Sequence, residues 1–185
     1  TGNFSLRLTE KGFINNDASM AIYKNDISLV YLTGLLNGKV AQYYLSLVNE
    51  SLNYTTGNVA SIPFIYSQET VINKLVEKNI EISRSDWDAF ETSWDFKRHP
   101  LLSVIPRNST FFDDTDNIDL AECYTCWENE CNERFNQLKA NEEELNRIFI
   151  GIYGLQDELT PEVEDKDVTV RKADLQRDIK SLISY

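Results

Sequence analysis

Three cysteines and one histidine are the residues whose types most readily suggest chemistry. Cys123, Cys126 and Cys131 stand as C-x2-C-x4-C. A structural zinc site needs four ligands, commonly two cysteine pairs. There is no fourth cysteine, and the single histidine, His99, lies in a proline-bounded stretch. Cysteines this close on one helix rarely meet disulfide geometry. We therefore read no metal site and no catalytic thiol here. Cys131 shares a helix face with Trp127 and reads as a core thiol. Reduced thiols fit a cytoplasmic protein.

Other constellations give the same negative answer. Lys97-Arg98-His99-Pro100 has no activated serine or cysteine beside it, so no nucleophilic site follows. Lys97 and Arg98 are candidates for phosphate contact, although a solvated loop is the more ordinary outcome for this tripeptide. Trp87, Trp94 and Phe96 are of the type that stacks on bases. However, Asp86, Asp88, Glu91 and Asp95 stand among them and would repel a phosphate chain, so core packing is the expectation. Gly34, Gly38 and Gly57 form no phosphate-binding loop. Asp113-Asp114 and Glu142-Glu143-Glu144 lack the spacing of a calcium loop.

The scaffold around these residues is ample. With 185 residues and 42% hydrophobic content, the chain can bury one core or two small ones. No apolar run approaches the roughly 20 residues needed to span a bilayer, so no membrane partner is expected. The net charge of −12 argues against non-specific nucleic-acid binding by the whole surface. The charge is uneven: residues 113–165 hold sixteen acidic and three basic residues, net −13, and the remainder is close to neutral. A DNA contact should then lie outside that acidic segment. The chain opens at Thr1 and closes on the apolar run ending at Tyr185, and we read both ends as cut points in a longer polypeptide.

Patterning sets the expected elements. Residues 4–8 alternate apolar and polar as a half-buried strand does, and residues 13–14 and 20–23 are further short strand candidates. Asp26 reads as an N-cap for a helix through Leu36. Asn37-Gly38 should break it by tolerating a left-handed backbone, and a second helix should follow from Lys39 to Val48. Residues 58–64 look extended and end in Ile62-Pro63-Phe64, where the proline marks an edge or an exit from the sheet. Ser67 should cap a helix through Ile80. Ser85 to Asp88 resembles a capping box opening a short helix with Trp87 and Phe90. A long helix is expected over 117–139. Asn141 with Glu144 should cap another that Gly154 stops, and Thr160-Pro161 should open a further one. Residues 167–170 have an extended pattern, and Leu175, Ile179, Leu182 and Ile183 mark a last helix. The fold class expected is α+β, mostly α: a small mixed sheet-and-helix module over 1–66, then a helical region over 67–185.

Two sets of segments resemble a known family. Leu35-Leu36-Asn37-Gly38-Lys39-Val40-Ala41-Gln42-Tyr43-Tyr44 resembles a helix break in the target-recognition region of TaqI-like adenine methyltransferases, and Gly57 to Pro63 resembles the exit from that module. Asp86 to Phe96, Asn141 to Gly154 and Leu159 to Val163 resemble segments of the PglX-type methyltransferases of BREX phage-defence systems. The match covers most of the chain. The resemblance implies a carboxyl-side fragment of a site-specific adenine DNA methyltransferase, carrying part of its DNA-specificity module. The family holds its target adenine with an N-P-P-Y motif and S-adenosylmethionine with a glycine-bearing loop. Neither pattern is present here, and Asn-Pro does not occur at all. The implication is a fragment without catalytic or cofactor residues, in a parent that uses S-adenosylmethionine.

On this reading the partners are double-stranded DNA, the rest of the methyltransferase chain and other defence-system proteins. Candidate DNA contacts are Arg7, Lys11, Lys24 and Lys39, the basic residues of 1–66, with Lys97 and Arg98 beyond them. Region 1–66 is electrically balanced, with four basic and four acidic residues, so binding by the fragment alone should be weak. The alternative is a protein-interaction module whose acidic helices dock another subunit.

Overall fold

A computed structural model describes residues 4–9, 12, 20–23, 26–48, 54–102 and 120–184. Six helices carry the fold among these residues: α1 (Leu29–Asn37), α2 (Lys39–Val48), α3 (Thr56–Ala60), α4 (Glu69–Asp88), α5 (Leu120–Tyr153) and α6 (Leu175–Ser184). Single 3-10 turns lie at Pro100–Leu102 and Asp165–Asp167. No strand or sheet occurs among the described residues. This overturns the expected mixed sheet-and-helix module.

The physical reason is visible at the proposed strands. Residues 4–9 have no secondary structure, yet they are tied down. The Leu6 amide donates to Asn37 Oδ1 at 2.8 Å, and Asn37 Nδ2 donates to the Leu6 carbonyl at 2.9 Å. A helix-end side-chain amide thus takes the place of a neighbouring strand, and period-two patterning cannot tell the two partners apart. Residues 20–23 are exposed and have no regular structure. In the stretch expected to be extended over 58–64, the first residues belong to α3, whose N-terminus is fixed by a Thr55–Asn58 capping box. The candidate strand at 13–14 lies outside the described residues.

The chain divides into two compact units, one formed by 1–80 with 140–163 and the other by 81–139 with 164–185. In the first, Tyr31 and Leu35 of α1, Val40 of α2, Ile72 and Val76 of α4, and Leu145, Phe149 and Ile150 of α5 form the core. Close helix approach there depends on Gly34: a Cβ at that position would stand 2.6 Å from Val76 Cγ2. In the second, Leu101, Trp127 and Cys131 are buried, with Phe90, Tyr124, Ala173, Ile179 and Leu182 packed around them.

Helix boundaries differ from the sequence reading in instructive ways. Ser28, not Asp26, caps α1, accepting from the Tyr31 amide. The α1–α2 break falls at Gly38 as expected, but its backbone is extended, not left-handed. Gln68, not Ser67, supplies the carbonyl that accepts from Val71 and Ile72 at the start of α4, and its φ is +53°. Ser85 to Asp88 ends α4; it does not open a new helix. α5 runs unbroken through Asn141, whose buried side chain donates to Asn79 Oδ1 at 2.8 Å. No helix opens at Thr160-Pro161, since residues 160–164 have no regular structure. Gly154 does stop α5, with φ +66°, and the Leu155 amide returns to the Ile150 carbonyl at 3.0 Å. Residues 167–170 form no strand, and α6 is present.

Candidate nucleic-acid interface

Of the described candidate DNA contacts in the first unit, Lys39 lies at the α1–α2 junction and Arg7 follows Leu6, whose backbone is bonded to Asn37. Lys39 is the first residue of α2. Its amide donates to Asn146 Oδ1 at 3.0 Å, and Asn146 Nδ2 donates to the Pro161 carbonyl at 3.2 Å. A buried α5 asparagine therefore caps α2 from outside the local sequence. The Lys39 ammonium helps to hold the Glu162 carboxyl below its ordinary range, after the stronger hydrogen bonds from the Glu162 amide and the Thr160 side chain. Arg7 is exposed and follows Leu6, whose backbone is bonded to Asn37 two residues before Lys39. The Asn37 tether thus puts Arg7 on the segment fastened to the end of α1 that precedes Lys39. Lys11 and Lys24 lie outside the described residues.

Lys97 and Arg98 belong to the second unit, so neither unit alone gathers the six candidates in one patch. Lys97 is exposed and Arg98 half-buried. His99 between Arg98 and Pro100 is buried at 3% exposure, and its Nδ1 accepts from the Leu101 amide at 3.3 Å. It is not in a solvated loop. Burial pushes the imidazole below its ordinary range, against the pull of Asp178 and Glu91.

The aromatic expectation is overturned. Trp94 is fully exposed and Trp87 about half-exposed, while Phe96 is intermediate. The buried tryptophan is Trp127.

Around Trp127 lies a polar network that the sequence reading missed. Asp178 of α6 is 2% exposed. Its carboxylate accepts from Trp127 Nε1 at 2.9 Å, the Asp174 amide at 3.0 Å and Arg177 Nε at 2.7 Å. Burial alone would raise this acid, but Arg177, the Asp174 amide and the indole outweigh it and hold it below its ordinary range. Asp86, also buried, accepts from the Arg171 amide. Burial dominates there and raises its pKa, only partly offset by the Arg171 amide and by Arg134, Arg171 and Arg177. Three guanidiniums lie over rings: Arg134 4.7 Å from Trp127, and Arg171 and Arg177 at 4.2 and 5.5 Å from Phe90. A signal existed. Asp178 sits three residues after Leu175 and four before Leu182, on the apolar stripe of α6, where an acid needs buried partners.

Cys123 and Cys131 are buried free thiols and Cys126 is exposed. No group of three His, Cys, Asp or Glu side chains placed to hold a metal occurs among the described residues. No helix among them is long and apolar enough to cross a membrane.

No family model matches the chain. Two curated proteins do. Over 186 aligned residues, all of this chain, it is 41% identical to the adenine-specific methyltransferase PglX of Lacticaseibacillus casei (strain Zhang), and spans 15% of that protein. It is 30% identical to the adenine-specific methyltransferase BrxX of Escherichia coli O9:H4 (strain HS) over 167 residues, 89% of this chain and 13% of that one. The chain is thus similar to one segment of two adenine-specific methyltransferases. It spans under a sixth of the length of these relatives.

Proposed function

We propose that this chain is a non-catalytic segment of a site-specific adenine DNA methyltransferase of a BREX defence system, and that it helps to hold DNA for methyl transfer carried out elsewhere in the parent. What carries the reading is the 41% identity across the whole chain to a protein named as an adenine-specific methyltransferase. The sequence contains no Asn-Pro, so the adenine-holding motif that the family resemblance implies has no counterpart among these residues. S-adenosylmethionine is then the parent's cofactor, held by residues outside this segment.

In this reading residues 1–66 end the DNA-specificity module and residues 67–185 brace it. Arg7 and Lys39 contact the phosphate backbone on either side of the Asn37 tether, joined by Lys11 and Lys24. Lys97 and Arg98 are further phosphate contacts, contributed by the brace. Each cation supplies position, not sequence. The test is methylation by the full-length enzyme carrying Lys24→Glu and Lys39→Glu. The expected result is a rise in KM for DNA with the affinity for S-adenosylmethionine unchanged. Unchanged methylation would remove the DNA role.

A second reading is favoured by one observation. Trp94 stands fully in solvent beside Glu91 and Asp95, which suits docking of a basic partner protein. Under that reading Trp94→Ala abolishes association with the other defence proteins and leaves methylation intact.

A further inference from the structure

Residues 63–67 form no helix or strand, and alternate residues of the run share an unusual support. Tyr153 Oη donates to the Pro63 carbonyl at 2.7 Å and accepts from the Ile65 amide at 3.2 Å. Tyr31 Oη lies 3.0 Å from the Ile65 carbonyl and 3.1 Å from that of Ser67, and accepts from the Ser67 amide at 3.2 Å. Tyr31 is wholly buried, so its hydroxyl is a fixed point. The backbone groups of 63, 65 and 67 all face the tyrosines. By the alternation of an extended chain, the N–H and C=O of Phe64 and Tyr66 face the other way. Neither pair has a backbone hydrogen-bond partner among the described residues. The rings of Phe64 and Tyr66 share one side, stacked at 6.0 Å and lying 5.9 and 4.9 Å from Tyr31.

One edge of this run is therefore satisfied, and the other has no backbone partner among the described residues. Phe64, Ile65 and Tyr66 are also exposed apolar residues. Proteins usually blunt an open edge with charge, yet no charged residue occurs from Ser61 to Gln68. The chain spans only 15% of its PglX relative, so most of a protein of that length lies outside these residues. We propose that residues 63–67 are the acceptor edge for an extended segment of that remaining polypeptide, which pairs with the N–H and C=O of Phe64 and Tyr66 as an added strand. Two backbone residues on one side supply a short ladder, and the exposed rings give the added segment an apolar face to cover. The proposal rests on the chain being a segment of a longer enzyme, not on its DNA role.

The test is hydrogen exchange at single-amide resolution on the full-length polypeptide without DNA, with a photo-crosslinking phenylalanine analogue in place of Tyr66 in a parallel sample. The Phe64 and Tyr66 amides should exchange at least about a hundredfold slower than an open chain, at every protein concentration. The cross-link should be intramolecular, to a segment outside these 185 residues. Exchange at the open-chain rate would overturn the proposal. So would a cross-link to a second molecule, which assigns the edge to self-association. Because no DNA is present, neither outcome bears on the DNA reading.

Discussion

The two units solve the problem of buried polarity differently. The first uses neutral groups: Asn146 bridges Lys39 and Pro161, Asn141 meets Asn79, and Tyr31 and Tyr153 hold the 63–67 backbone. The second uses charge: Asp178 and Asp86 are buried, ringed by Arg177, Arg171 and Arg134 over aromatic faces. Neutral hydrogen bonds cost little to break one at a time, whereas a buried charge that loses its partners is left uncompensated. The first unit should be insensitive to pH and the second should not.

The sharpest way to break this contrast is Asp178→Ala. It leaves Trp127 Nε1 and Arg177 Nε without their acceptor, and a cost of about 3 to 5 kcal/mol is expected. Hydrogen exchange should rise over α6 and residues 120–139, with residues 29–48 unchanged. Equal loosening of both regions would show that they do not differ as described. Next in size is Gly34→Ala in the first unit. Its methyl group meets Val76 Cγ2, and overpacking should cost about 1 to 3 kcal/mol, read as a lower denaturant midpoint. Tyr153→Phe should cost less, about 0.5 to 1.5 kcal/mol, and should speed exchange at the Ile65 amide specifically.

Acid sharpens the same contrast. His99 is held below its ordinary 6.5, so the native state resists the charged form and stability falls as pH drops below that value. Asp178 is held below its ordinary 3.8. Its contribution is present above that pH and is lost as pH falls through the lower native value. Asp86 is raised and works in the opposite sense, relieving strain as it takes up a proton. Local stability of the second unit should therefore decline from near neutrality downward, and His99→Gln should flatten the upper part of that decline. Parallel acid profiles for the two units would contradict the contrast.

These differences also explain what is legible in the sequence. Helices α1, α2 and α6 can be read from their apolar stripes, although that of α6 also holds Asp178, as can the break at Gly38 and the stop at Gly154. The misreadings fall where polar residues occupy stripe positions. Asn141, three after Leu138 and four before Leu145, has the look of a cap and is a core asparagine inside α5. Ser85 and Asp88 have the look of a capping box, and Asp86 between them is a buried acceptor near the end of α4. Local rules assign such residues to helix ends because they omit the distant partners, Asn79 and Arg171, that make their burial tolerable. The strand expectation fails similarly: alternation at residues 4–8 specifies an extended chain, and the side chain of Asn37 takes the role of a strand. Of the proposed site, Lys39 and Arg7 are candidates named from residue type alone. The Asn37 and Asn146 contacts that place them are invisible in the sequence, since they join residues 31 and 107 positions apart.

The central claim, that this segment holds the phosphate backbone for a methyl transfer performed elsewhere, is tested most directly by the salt dependence of DNA binding to the full-length enzyme. Arg7→Gln with Lys39→Gln should weaken binding and lower the slope of log K against log salt by about 0.9 for each phosphate that is no longer neutralised, without altering the affinity for S-adenosylmethionine. Parallel salt lines for the variant and the wild-type enzyme would contradict it.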